Sequence, residues 1–178
     1  RIKSLITIFI VVPGIFLSAY QVSDLFKSRV NLAITEVIHY SNTTYTSVGL
    51  RITYAINSFD VIKKYPIIGA GTGDFPVEYR RINKLNALGS PNTTNPHNMY
   101  ILILVELGLV GLISMLSIFY YQIKLSYNSS NKFIRDVGVA LPLMFLVLML
   151  SDSYLLGHYT TLMFVFFSSF LYKDFEKN

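Results

Sequence analysis

The chain has no cysteine. That excludes a disulfide framework and a thiolate metal site, and leaves cysteine usage silent on redox compartment. Charge is the second shortage. Asp, Glu, Lys and Arg together make up 14% of the 178 residues, against roughly 25% in soluble globular domains. Carboxylates are the scarcer sign, ten Asp and Glu against fifteen Lys and Arg. No pair of them has metal-ligand spacing and no Asp-X-Asp occurs. A resident metal or cofactor is therefore not expected, and a nucleotide-sugar transferase working through a bound divalent ion is disfavoured. The net charge of +5 comes from scattered basic residues with no nucleic-acid-binding motif beside them, so nucleic acid is not an expected partner.

What the chain does have is apolar sequence. Hydrophobic residues are 52% of it and the mean hydropathy is +0.47. The charges cluster between long apolar runs, which is the pattern of a membrane protein rather than of a greasy soluble core. About four runs approach the ~20 residues needed to cross a bilayer. They are Ile2–Tyr20, Met99–Tyr121, Val137–Leu150 and Tyr154–Tyr172. The first is too long for a signal-peptide core and ends without a small-residue cleavage site. A hairpin that only dips into the bilayer is the alternative for the last two, because Asp152-Ser153 and Gly157-His158 interrupt them. The chain opens on Arg1 rather than Met and reads as a piece of a longer bundle.

The expected class is thus an all-α polytopic membrane protein with about four transmembrane helices and a large, partly helical extracytoplasmic loop. The expected division is a transmembrane helix over 1–21, the outer loop over 22–98, and three transmembrane helices over 99–178 with a cytoplasmic loop near 122–136. Orientation follows from basic residues in short loops. Arg1 and Lys3, then Lys124, Lys132 and Arg135, then Lys173 and Lys177 all fall on one side if the spans alternate. That side is cytoplasmic, and the long segment faces out.

So long a segment without structure would be improbable. From Leu50 to Tyr65, apolar residues recur at Ile52, Ala55, Ile56, Phe59 and Ile62, the spacing of an amphipathic helix that Pro66 ends. Ser47 is a plausible N-cap, and the apolar face would lie on the membrane or against the spans. A weaker helix is expected over Phe75–Leu85, then a loop over Leu88–Pro96.

Three patches in this segment could carry chemistry. Arg51 opens the amphipathic helix; guanidinium pairs bidentately with phosphate oxygens, although by residue type alone it is first an ordinary headgroup or solvated arginine. Gly69-Ala70-Gly71-Thr72-Gly73 suggests a phosphate cradle, but no Lys-Ser/Thr follows, and a tight interfacial turn is the plainer account. Asn95-Pro96-His97-Asn98 stands where the segment enters the second span. A His there can act as a base, and a helix start favours anions; a structural His is the bland alternative. Glu106 lies deeper in the same span and is costly there unless it faces the interior or a cavity. Asp152 and His158 are polar groups on the same outer side, and His39 is background. The Asn-X-Thr triplets at Asn42 and Asn92 matter only before a eukaryotic glycosylation machinery.

Together these patches resemble the bacterial O-antigen ligase and polymerase superfamily. The likeness runs from about Arg51 to Gly111. It comprises Arg51 on its helix, Tyr65-Pro66-Ile67-Ile68-Gly69-Ala70-Gly71, and His97-Asn98 followed by nine residues and Gly108-Leu109-Val110-Gly111. The resemblance implies a metal-independent membrane glycosyltransferase of the bacterial inner (cytoplasmic) membrane, multi-pass, its active loop facing the periplasm. Its donor would be a polyprenyl-pyrophosphate-linked glycan in the membrane lipid, and its acceptor a glycan or lipid A–core hydroxyl. It assigns Arg51 to the pyrophosphate and His97 to the acceptor hydroxyl or a phosphate. Asn98, Gly69 and Gly71 are further substrate-binding candidates, with Arg80 and Arg81 added without a motif match. The rivals are a repeat-unit polymerase, a protein O-oligosaccharyltransferase, and, outside the enzymes, a transporter or a structural membrane subunit. A transporter would favour inverted repeats and broken helices with a midplane site, and no internal repeat is present.

Overall fold

In the computed structural model, residues 2–40, 45–86 and 90–172 are described, with side chains from Ile10 onward. Arg1, the Lys3 side chain, Lys173 and Lys177 of the orientation argument, the triplet at Asn42, and Leu88 at the head of the expected loop lie outside the described residues. The described residues form seven helices and no strand: α1 Ile2–Val22, α2 Asp24–Ile38, α3 Ser47–Lys64, α4 Phe75–Asn86, α5 Met99–Asn128, α6 Lys132–Leu148 and α7 His158–Tyr172. The chain divides into two compact units, Arg1–Leu50 and Arg51–Asn178.

In the first unit α1 and α2 meet at a bend. Ser23 separates α1 from α2, and its hydroxyl accepts from the Phe26 N–H as the N-cap of α2. Phe16 and Phe26 meet edge to face at 5.3 Å, and the Tyr20 hydroxyl donates to Asn31. Helix α2 was not expected from periodicity; its signals are the Ser23 cap and Asp24 in the first turn.

The second unit holds α5, α6 and α7 together. Phe164 of α7 packs against Phe119 of α5 and Phe145 of α6. Tyr100 donates to the Leu146 carbonyl at 2.6 Å and Tyr172 to the Gly138 carbonyl. At 30 residues, α5 is the one described helix both long and apolar enough to cross a membrane. Helices α6 and α7 have 17 and 15 residues, and the apolar part of α1 is Ile10–Val22. The expected loop near 122–136 is mostly helix, since α5 runs to Asn128 and α6 begins at Lys132. The fourth expected span starts late, at His158, after a turn.

Helix α3 forms where the periodicity puts it, but is capped one residue earlier than expected. Thr46, not Ser47, accepts from the Gly49 N–H. Its buried side is the opposite of the one the apolar pattern selects. Thr53, Tyr54, Asn57, Ser58 and Val61 are buried, whereas Ile56 and Phe59 are 40% and 50% exposed. The reason is α4. Asn57 donates to the Tyr79 hydroxyl and to Asn83, while Asn86 donates to Asn57 and Asp60. Satisfied polar groups can be buried at little net cost, so this contact is built from amides and the isoleucines face outward.

The glycine motifs make a joint in α5. Gly108 has φ 63 and ψ −158, a break inside the helix. The strand of chain after α3 fits into that break. Ala70 and Gly71 donate to the carbonyls of Val105 and Glu106, and Leu109 and Val110 donate to those of Pro66 and Ile67. A Cβ on Gly69 would collide with the Glu106 carbonyl and Leu107 nitrogen, and one on Gly108 with the Ile67 carbonyl. Both glycines also have positive φ, which costs other residues strain. Backbone polar groups freed by such a break need new partners, and here the loop supplies them for the Val105 and Glu106 carbonyls and for the Leu109 and Val110 N–H groups. Gly69-Ala70-Gly71 therefore acts as a main-chain splice, with all three of its N–H groups donating to backbone carbonyls.

Candidate active site

At the start of α5 the chain makes a sharp turn through His97, the only non-glycine residue of positive φ among the described residues, at 54°. Such a backbone costs of the order of 1–3 kcal/mol and persists only where its surroundings over-determine it. The His97 N–H donates to the Asn95 side chain at 2.9 Å. Asn98 caps α5, its oxygen accepting from Ile101 and its amide donating to the Leu150 carbonyl. Met99 donates its N–H to the Met149 carbonyl. Asn98 thus has structural work at both ends of its amide, fastening the mouth of α5 to the end of α6.

The imidazole is held from two sides. Its Nδ1 lies 3.2 Å from Asp152 Oδ1, in the turn between α6 and α7. One face stacks on the Tyr54 ring of α3, with centroids 6.1 Å apart and planes 24° from parallel. Tyr54 in turn meets Tyr79 edge to face at 5.7 Å, which ties the stack to α4. Burial, with the neighbouring Tyr79 phenol, raises the Tyr54 hydroxyl above its ordinary value, so it stays a neutral ring.

Asp152 Oδ1 collects three donors: the Ser153 N–H at 2.7 Å, Asn95 Nδ2 at 3.1 Å and His97 Nδ1. Burial alone would raise this carboxyl; the Ser153, Asn95 and His97 donors outweigh it and hold it below its usual value. An ionised carboxylate can only accept, so the proton of a neutral His97 sits on Nδ1 and Nε2 carries the lone pair. That is a base held in one tautomer by a carboxylate.

The other expected site residues divide. Arg51 is exposed on α3, one turn before Tyr54 and on the same helical side. Arg80 and Arg81 are exposed on α4, where the inward residue is Tyr79; Arg81 lies 3.8 Å from Glu78. They are not brought to His97. Glu106 is half-buried at the α5 joint, where its main-chain carbonyl accepts from Gly71. His158 is exposed at the head of α7, and His39 contacts the Thr35 carbonyl in the first unit. Among the described residues no three His, Asp or Glu side chains gather as a metal site. Asp152, Asn95 and Tyr54 are the contributors that sequence reasoning did not assign.

Helix α5 is long and apolar enough to cross a membrane, and an imidazole oriented by a carboxylate sits at its mouth. The family model described as O-antigen ligase matches residues 1–116, and the chain belongs to that family. Its members are inner-membrane proteins associated with ligase or polymerase activity in polysaccharide biosynthesis. A comparison with individual curated proteins finds no match.

Proposed function

We propose that this chain carries the catalytic loop of a metal-independent glycosyltransferase, moving a polyprenyl-pyrophosphate-linked glycan onto an acceptor hydroxyl at the outer face of the cytoplasmic membrane. In this reading α1, α5, α6 and α7 are the four spans and the segment between α1 and α5 faces the periplasm. The observation that carries it is the His97–Asp152 pair. With Nδ1 on the carboxylate, Nε2 takes the acceptor proton as the acceptor oxygen bonds to the anomeric carbon. The bond from that carbon to the phosphate oxygen breaks, and its electron pair leaves with the pyrophosphate. Arg51 meets the charge that develops there, since guanidinium is always charged and pairs bidentately with phosphate oxygens.

The test is the surface-glycan profile of a deletion strain carrying full-length protein with His97→Ala. Removing a general base costs about 10²–10⁴ in rate. Long chains held on the lipid carrier with bare acceptor are expected. Acceptor capped with single repeats would reassign the reaction to repeat-unit polymerisation, and a wild-type profile would remove His97 from the chemistry. Arg51→Ala should lose activity in the same assay, and Arg51→Lys should restore it only in part, because lysine is not bidentate.

A further inference from the structure

Beside the His97–Asp152 pair lies an open cavity of about 390 Å³, lined among others by Asn95, Asp152, Ser153, Tyr154, Leu156 and Thr160. That is within the size range of small-molecule sites. Its wall is the turn from α6 into α7, downstream of the residues 1–116 that carry the family match.

The polar groups of this wall are incompletely used. All three donors on Asp152 go to Oδ1, which leaves Oδ2 open as an acceptor. Asn95 Nδ2 gives one hydrogen to Asp152 and has a second. Ser153 is 4% exposed, and its Oγ is buried without a hydrogen-bond partner among the described residues. A buried hydroxyl without a partner is unfavourable, and this one belongs to a residue of the cavity wall. Thr160, by contrast, is satisfied by the Tyr154 and Gly157 carbonyls.

The chemistry of the open groups selects the ligand. No Lys or Arg lines the cavity, and Asp152 would repel an anion, so phosphate does not belong here. An acceptor (Oδ2) and a donor (the amide hydrogen) complement hydroxyls, each of which can both give and accept a bond. Tyr154 and Leu156 add the apolar edge that the C–H face of a sugar ring packs on.

We propose that this cavity is a subsite for a neutral sugar ring of the acceptor, set against the α6–α7 turn while the pyrophosphate lies on the Arg51 side. The assignment of that sugar to the acceptor rests on the transfer reading above. Leu156 is 55% exposed, so Leu156→Trp obstructs the cavity mouth without disturbing packing. Saturation-transfer NMR on full-length detergent-solubilised protein, with methyl glucoside, galactoside and mannoside as probes, should give signals that Leu156→Trp abolishes. In the transfer assay Leu156→Trp should raise the acceptor KM at least tenfold, with donor KM unchanged. Absence of probe signal from wild-type protein, or equal signals from wild type and Leu156→Trp, overturns the subsite. If that happens while His97→Ala still blocks transfer, only the subsite fails. If Leu156→Trp abolishes the signals but His97→Ala transfers normally, the transfer reading fails and sugar binding stands.

Discussion

The helical backbone of the second unit gives way at two places, and they are finished in different ways. At Gly108 the break is closed by main chain on main chain, and all four hydrogen bonds of the joint are made. At His97 the irregular backbone is held by side chains: Asn95, Asn98 and Asp152. The first pairs the Val105 and Glu106 carbonyls and the Leu109 and Val110 N–H groups. The second leaves Nε2 of His97 and Oδ2 of Asp152 in hand. A break that serves the fold satisfies itself, whereas one that serves chemistry keeps polar atoms in hand, at the cost of strain.

That contrast can be broken by substitution, and the joint should give the largest effect. Gly69→Ala combines a positive φ with a collision against backbone that cannot yield. A loss of about 3 kcal/mol or more is expected, read as failed accumulation of folded protein in the membrane and a collapsed melting transition in detergent. Normal folding would mean the joint is looser than its hydrogen bonds indicate. The mouth should behave oppositely. Asp152→Asn can keep the fold but can present its N–H to Nδ1 and so favour the wrong tautomer; transfer should fall about 100-fold or more with melting little changed. Equal losses of stability and activity would make Asp152 merely structural.

The stack comes next in size. Tyr54→Ala removes a ring contact worth about 0.5–1.5 kcal/mol, which is roughly two- to tenfold in kcat if the contact only orients His97. Tyr54→Phe should retain wild-type kcat, because the ring and not the hydroxyl meets the imidazole. The smallest effect is on pH. Asp152 is held below its ordinary value by its donors. Its contribution to stability is therefore present above the unfolded value near 3.9 and is lost as pH falls through the lower folded value. Melting curves of wild type and Asp152→Asn should converge on acidification through that window, and parallel curves would deny the carboxylate this role.

The sequence made some of this architecture legible and hid the rest for physical reasons. The break in charge and the long apolar run identified α5, and the spacing from His97-Asn98 to Gly108 and Gly111 pointed to its mouth. The same spacing could not say that Gly108 and Gly69 are two halves of one joint, since close backbone approach leaves no mark except the glycine itself. The period of α3 was readable but its buried side was not, because periodicity assumes an apolar neighbour and α4 offers Tyr79, Asn83 and Asn86 instead. Asp152 was noticed only as a polar interruption. Its partner lies 55 positions away, and nothing local to either residue announces the pairing.

That distance has a consequence for what counts as the working unit. The proposed base lies within the recognisable stretch, and the carboxylate that aims it comes from outside that stretch, between two later helices. A truncated protein, or a chimera joined soon after residue 116, would keep the whole signature motif yet carry an imidazole with no fixed proton. Grafting experiments in this family should therefore choose crossover points after the α6–α7 turn, so that the histidine and its carboxylate are inherited as one piece.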